Sequence, residues 1–525
     1  MGKGGNPNFI SKEPGEKSAT TYNLEEKQSS SLRKEFNGKL AFAVAAAALG
    51  SSFQHGYNTG VLNNPQFLIE QFIEQVIISR TGTPPSPATV TSIWSIITSI
   101  FCVGGMFGGA ITGRYPSIIG EHKKSNKNKF SCIGFVGERF GRKGGLLLNN
   151  ILVVFAVIFE STAKAANSYE MIIVGRFLIG INSGLNAGLA PMYLSEISPV
   201  NLRGAIGSVY QLVITISILV AQVLGLGSIL GTAQHWPTLL ALTVIPAAFQ
   251  LATLPICPES PKYLLLSKNK EIEAQRALSW LRGSGSVQDE MDEMRQEYEA
   301  AKLMPTITTK ELVSSAALRI PLIISLVMML AQQFSGINAV IFYSTRIFTG
   351  AGLSTDAATY ATLAIGAINV LMTIVSVILV ERAGRKTLLL IGFGGMVIDT
   401  LLLTIALQFS ETSTVAKYLC VCLVIMFIIL FATGPGSIPW FLVSELFAQS
   451  ARPAATSLAV SVNWFANFVV TIGFPTLQEQ IGSYVFIIFT VILALVTAFT
   501  YKKVPETKNK TMEEISAMFR QQSYK

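Results

Sequence analysis

Charge is scarce in this chain. Only 14% of its 525 residues are Asp, Glu, Lys or Arg, while half are apolar. Soluble domains carry about 25% charged residues, and the mean hydropathy here is +0.48. A water-facing globular protein of this length is therefore excluded. Histidine is nearly absent, at three residues, and there are five cysteines. Cys102, Cys132, Cys257, Cys420 and Cys422 show neither metal-ligand nor disulfide spacing and read as packing residues. No nucleotide-binding loop and no nucleophile constellation is present, so neither enzyme activity nor a cofactor nor a bound metal is expected. Residues 1–39 are polar and read as a disordered terminus rather than a cleavable signal.

What is present is long apolar runs. Twelve stretches approach the ~20 residues that cross a bilayer: 40–61, 92–113, 145–164, 170–191, 205–226 and 236–257, then 321–345, 358–380, 387–408, 416–442, 454–475 and 482–501. The fold class expected is an all-α membrane protein of twelve helices in two six-helix halves. Arg139, Arg142, Lys143, Arg203, Arg382, Arg385, Lys386 and Arg452 fall in alternate loops, which places those loops and both termini in the cytoplasm. The net charge of +9 then reflects inner loops facing anionic lipid, and no nucleic acid is needed as a partner. Between the halves, 271–281 and 289–302 have helical periodicity and mixed charge, as short helices on the cytoplasmic face would. The expected organisation is 1–39 terminus, 40–257 first bundle, 258–319 linker, 320–503 second bundle and 504–525 tail.

Three charged signatures occur twice. Glu138-Arg139-Phe140-Gly141-Arg142-Lys143 returns 243 positions later as Glu381-Arg382-Ala383-Gly384-Arg385-Lys386. Glu196 with Arg203 returns as Glu445 with Arg452, 249 positions on, and Pro258-Glu259-Ser260 as Pro505-Glu506-Thr507, 247 positions on. A constant order at nearly constant offset marks an internal duplication, the plan of a carrier with two halves around a central site. Guanidinium forks pair bidentately with carboxylates where water is partly excluded. Glu138, Arg139, Arg142, Glu196, Arg203, Glu381, Arg382, Arg385, Glu445 and Arg452 are therefore expected to latch the two halves together on the cytoplasmic side when the outer side is open.

These loops resemble the signature of the major facilitator superfamily. Pro258-Glu259-Ser260-Pro261-Lys262 and Pro505-Glu506-Thr507-Lys508 resemble the signatures closing each half of its sugar porters. Gln332-Gln333-Phe334-Ser335-Gly336-Ile337-Asn338, followed by Phe342-Tyr343-Ser344-Thr345, is similar to the seventh span of animal facilitative glucose transporters. Gly434-Pro435-Gly436-Ser437-Ile438-Pro439-Trp440 resembles their tenth. The similarity runs from about residue 38 to 520. It implies alternating access around a hexose site at the bilayer midplane.

A neutral polyol calls for groups that both donate and accept, as Gln and Asn amides do. Amides inside a span are costly unless they face a wet cavity or each other. The resemblance places Gln211, Gln332, Gln333, Asn338, Asn369, Trp440 and Asn463 at the sugar; Asn467 is a further amide within a span. Gly336 permits a bend in the seventh span. Gly434, Pro435 and Pro439 interrupt the tenth so that it can swivel as a gate, and Tyr343 joins that gating group. Asn58 stands where proton-coupled members of the family carry Asp, and an amide cannot shuttle a proton. His55 beside it reads as a packed or interfacial histidine, with coupling as the alternative; Glu160 and Asp399 lie at or within spans, and neither matches a coupling position.

The reading is a hexose uniporter, D-glucose first, in the plasma membrane, with the sugar and the lipid bilayer as partners. Fructose preference, proton coupling or a transporter-like sensor are the alternatives, and oligomeric state is open. Three departures from the family pattern stand out. Met329 replaces a Gln, which leaves fructose open. Ala432 replaces a Glu, which should weaken the latch and favour the inward-facing state. The Lys-rich stretch 114–134 reads as a gene-model artefact in preference to a genuine insertion, because its removal joins Gly113 to Phe135 and restores the Gly-x-x-x-Glu spacing.

Overall fold

The computed structural model describes residues 37–112, 135–283, 287–302, 307–448, 450–508, 510, 514–515 and 517–519. The stretch 114–134 lies outside them, as do the side chains of Glu138 and Glu381. Ten helical runs are long and apolar enough to cross a membrane, and the run Arg452–Lys503 holds two helices. With the first span, which is internally broken, this makes twelve among the described residues.

The first span is Gly38–Ala47, a π-helical turn Ala48–Ser52, and Phe53–Gly60. The second to fifth are Pro87–Thr112, Gly141–Thr162, Tyr169–Ile197 and Arg203–Leu224. The sixth is Trp236–Ala241 with Val244–Thr253. The seventh breaks between Ala316–Phe334 and Ile337–Gly350. Thr355–Ala383 and Arg385–Phe409 follow. The tenth breaks between Thr414–Thr433 and Ile438–Leu446, and Arg452–Ile481 and Val485–Lys503 complete the set. The linker helices are Glu271–Arg282 and Gln288–Lys302.

One segment differs from expectation. The stretch 62–91, which reads as a connecting loop between the first two apolar runs, holds a helix, Gln66–Thr81, with Gly82 in the left-handed region (φ 74°) as its C-cap, and the second span already starts at Pro87. Ile69, Phe72, Ile73 and Val76 recur at helical spacing on its buried face.

Within the first half, the second and fourth spans run in backbone contact. A Cβ on Gly104 would stand 2.3 Å from the Phe177 carbonyl oxygen, and one on Gly184 2.3 Å from that of Gly105. Such close approach is how membrane helices pack without a hydrophobic drive between them. The two halves touch along two seams: the Trp464 ring of the eleventh span lies on Gly105 of the second, and Gln222 of the fifth lies on Gly366 of the eighth.

Candidate functional site

The seventh and tenth spans break where the sequence puts Gly and Pro. Gly336 takes φ 93°, a conformation that L side chains rarely adopt, and the Phe489 ring lies 3.0 Å from where its Cβ would be. In the tenth span Pro439 has no N–H to offer the carbonyl of Pro435 four residues earlier. Trp440 N–H donates to Ser437 instead. The carbonyls of Pro435 and Gly436 are thus released from the helix, and Gln332 Nε2 donates to both, at 3.0 and 2.7 Å.

From Gln332 a directed chain of amides runs through the second half. Asn463 Nδ2 donates to Gln332 Oε1 (2.9 Å), Gln333 Nε2 to Asn463 Oδ1 (3.0 Å), and Asn338 Nδ2 to Gln333 Oε1 (2.5 Å). Gln332, Gln333 and Asn463 are buried and Asn338 is half-buried. Met329 belongs to this cluster, since its carbonyl and sulfur both lie within reach of Asn463 Nδ2. Asn467 is buried one turn further along, and its Oδ1 accepts from Thr471. Four of the seven expected substrate residues are therefore brought together. Gln211 and Trp440 are exposed and Asn369 half-buried, and none of the three joins the chain. No charged group enters it. A cavity of about 560 Å³, lined by Phe67, Arg346, Gln478, Glu479 and Phe486 among others, opens elsewhere, at the rim away from the charged loops.

At that opposite rim the halves are bonded together. Asn63 Nδ2 donates to the Ile341 carbonyl and to Ser344 Oγ, both at 2.6 Å. Thr345 N–H returns a bond to Asn63 Oδ1 at 3.3 Å, and Arg346 lies 3.5 Å from Glu70. Tyr343 sits among these contacts with non-helical dihedrals (φ −126°, ψ 15°). Its hydroxyl reaches Thr98 of the first half at 2.8 Å and the Thr471 carbonyl of the second at 3.1 Å.

With the opposite rim closed, the ion pairs given for the repeated charges among the described residues, Arg142–Glu196 and Arg385–Glu445, lie within each half. Arg142 grips Glu196 through Nε and Nη2 at 3.0–3.2 Å, and its Nη1 donates to the Gly137 carbonyl. Ser260 Oγ donates to the same Glu196. Glu259 accepts from the backbone amides of Arg142, Lys143 and Gly144, the first turn of the third span. An anion there satisfies orphan donors and meets the positive end of the helix dipole. Burial pushes the Glu259 carboxyl above its ordinary range, while the amides of Lys143, Ser260 and Gly144 and the Arg142 charge act against the rise. Gly141 lets the carboxylate in: it has φ 84°, and Glu259 Oε2 lies 2.3 Å from where a Cβ would be.

The second half repeats this arrangement with fewer bonds. Arg385 grips Glu445, Thr507 Oγ1 donates to Glu445, and Glu506 accepts from the amides of Arg385 and Lys386. Gly384 has φ 90° beside it. The remaining expected latch residues stand around these clusters. The Arg382 carbonyl accepts from Lys508, Arg452 reaches the Phe447 carbonyl, and Arg203 Nε is buried without a partner among the described residues.

The match to known proteins rests on this duplicated bundle. A family model described as Sugar (and other) transporter matches residues 43–125 and 131–519. The chain belongs to the sugar transporter family. It is 44% identical over 487 residues to facilitated glucose transporter member 1 of solute carrier family 2 from Gallus gallus, covering 93% of this chain and 94% of that one. Member 3 from Homo sapiens is 43% identical over 92% of this chain and 93% of its own. Member 4 from Mus musculus is 45% identical over 93% and 92%. Among solved structures, the xylose transporter XylE from E. coli in an inward open conformation superposes with TM-score 0.72 at 23% identity, covering 91% of this chain and 99% of that one. This sugar transporter thus has the major facilitator fold.

The three titratable groups singled out in the spans have distinct settings. His55 Nδ1 meets Tyr210 Oη at 3.2 Å, and its ring stacks on Trp464 at 5.9 Å across the seam between halves. Glu160 is buried beside Gly175. Asp399 is 3% exposed in the ninth span, and neither carboxylate oxygen has a partner among the described residues. Leaving a buried polar group unmet costs about 1–3 kcal/mol. Asp399→Leu is expected to recover a comparable amount and raise the midpoint of thermal unfolding in detergent; a lowered midpoint would show that the carboxylate is engaged.

Proposed function

We propose that this sugar transporter is a facilitative hexose carrier, taking D-glucose first, which moves sugar down its gradient by alternating access. The observation that carries the reading is the uncharged chain Gln332–Asn463–Gln333–Asn338. It ends on Asn338 Oδ1, which has no partner among the described residues, so it can accept from a sugar hydroxyl while the amides behind it fix its orientation. The facilitated glucose transporters at 43–45% identity support the same assignment. Net hydrogen bonds of about 0.5–1.5 kcal/mol each reach the ~4 kcal/mol of millimolar binding with a handful of contacts. Tighter binding would slow release.

Uniport follows from the first span. Asn58 Nδ2 donates to the Gln54 carbonyl and its Oδ1 accepts from Thr243, so this position is a hydrogen-bonded amide with no proton to exchange. The same reading puts the charged rim and both termini in the cytoplasm and the carrier in the plasma membrane. The Arg142 and Arg385 clusters then serve as prebuilt inner faces that meet when the Asn63–Ser344 contacts open. Fructose preference is the second reading, favoured by Met329 against Asn463, where a Gln would add an amide.

The test is initial-rate uptake of labelled glucose and of fructose in cells lacking hexose carriers, with and without an uncoupler. Glucose is expected to equilibrate without accumulating and to ignore the uncoupler. Accumulation that collapses with the proton gradient would overturn uniport, and faster fructose entry would reassign the substrate.

A further inference from the structure

Arg176 lies inside the fourth span with none of its surface exposed. Its Nη2 donates to the backbone carbonyl of Asn58 at 3.0 Å, and its guanidinium carbon lies 4.6 Å from the Phe101 ring centroid. Nε and Nη1 are buried without hydrogen-bond partners among the described residues. A guanidinium does not give up its proton in a protein, so its charge has to be met by another group. The fourth span carries two other acids, one at each end, and both are engaged elsewhere: Glu170 by Arg80 and Glu196 by Arg142. The interior carboxylate left is Glu160 of the third span, 1% exposed, with Oε1 likewise unpartnered.

The backbone makes room for that side chain against the residue before the arginine, and the two charges face each other without a hydrogen bond among the described residues. A Cβ on Gly175 would stand 2.5 Å from Glu160 Cγ and 3.2 Å from Cδ, so the acid fills the space a side chain would take one residue before Arg176. Glu160 and Arg176 act on each other electrostatically, and the same carboxylate acts at longer range on Tyr57 of the first span, whose hydroxyl donates to the Leu239 carbonyl. Cys102 of the second span is the remaining titratable group facing the guanidinium.

The contact that Arg176 makes is at the end of a helix. The first span stops at Gly60, and its last carbonyls lack intrahelical donors. The Asn58 carbonyl is taken by Arg176, a cation at the negative end of the helix dipole. Three residues past that end comes Asn63, which bonds across to the seventh span at Ile341 and Ser344.

We propose that Glu160 is a positioning residue for transport. Its carboxylate is the counter-charge that keeps Arg176 on the Asn58 carbonyl, and so sets the end of the first span from which Asn63 closes the gate between the halves. Glu160 touches no sugar-site amide, because the Gln332–Asn338 chain lies in the other half. Its role is in the rate of the conformational cycle, not in binding.

The inference rests on hexose transport for its kinetic arm only. Glu160→Gln keeps the shape and removes the charge, and Arg176→Gln does the converse. Each single variant is expected to lose at least fivefold in Vmax per transporter with KM for glucose within twofold of wild type, and Glu160→Asp to recover most of the loss. The paired variant Glu160→Gln/Arg176→Gln is expected to melt above Arg176→Gln and to lose less than the product of the single losses, because no charge is left uncompensated. Wild-type Vmax in Glu160→Gln, losses that multiply, or a change confined to KM would overturn the proposal. If Glu160→Gln fails to reach the membrane, the pair decides: restored abundance supports the counter-charge, and continued loss overturns it. The melting comparison needs no substrate, so it stands even if wild type proves to carry something other than a hexose.

Discussion

Arg142→Ala is expected to destabilise the carrier by about 3–5 kcal/mol, the usual consequence of leaving a buried carboxylate without its partner. Arg385→Ala, the same change in the other copy, is expected to cost about 1–2 kcal/mol, between the buried case and the ~0–1 kcal/mol of an exposed pair. The two clusters have the same connectivity, so the difference comes from their surroundings. The Arg142 and Glu196 side chains are 3% and 9% exposed, while those of Arg385 and Glu445 are 21% and 24% exposed. Arg142 engages both oxygens of its carboxylate and lies 5.0 Å from the Tyr263 ring centroid; Arg385 places both its bonds on one oxygen. Removing Arg142 strands Glu196 with only the Ser260 hydroxyl, whereas water can reach Glu445. Thermal unfolding of the two variants in detergent, with surface abundance as a second reading, checks this ordering. Equal losses would show that the pairs act mainly as latches between halves, where both copies contribute together, and not as braces inside each half.

That ordering could not be read from the sequence. Two copies of Glu, Arg and Ser/Thr in constant order show that the groups belong together, but not whether an arginine meets the acid of its own copy or of the other. Spans were legible because the bilayer demands ~20 apolar residues in a row, and the breaks at Gly336 and at 434–437 because Gly and Pro announce them. The π-helical turn Ala48–Ser52 holds Gly50 but no proline, and a lone glycine inside an apolar run does not by itself announce a break. The helix Gln66–Thr81 was hidden by its mixed polarity, although Pro65 before it and Gly82 after it mark its ends.

At the candidate site the amide types were legible and their order was not. Asn463 meets Gln332 and Gln333 across about 130 positions of sequence, and only the fold brings them together. Arg176 was passed over altogether. The signal was available, since an arginine in the middle of an apolar span is costly and needs a partner, but it stood in a run read only for its hydropathy.

Gln332→Leu and Gln333→Leu are expected to fail in different ways, although the two residues are neighbours. Gln332 Nε2 covers the Pro435 and Gly436 carbonyls, which the broken tenth span leaves open, and its Oε1 takes Asn463 Nδ2. Leucine removes all three bonds at once. Each buried group left unmet costs about 1–3 kcal/mol, and the break itself becomes the weak point, so the hinge cannot hold one geometry. Vmax for glucose is expected to fall at least tenfold, with a lowered melting midpoint. Gln333 bonds only to Asn463 Oδ1 and Asn338 Nδ2, the part of the chain that ends on the free acceptor of Asn338. Leucine there frees Asn338 to turn away from the sugar but leaves the tenth span capped, so KM is expected to rise severalfold while Vmax per transporter stays within about twofold. Kinetics of the two variants at matched surface density separate the roles. The reverse split, with Gln332→Leu raising KM alone, would place Gln332 on the sugar and leave the tenth span to be held by some other group.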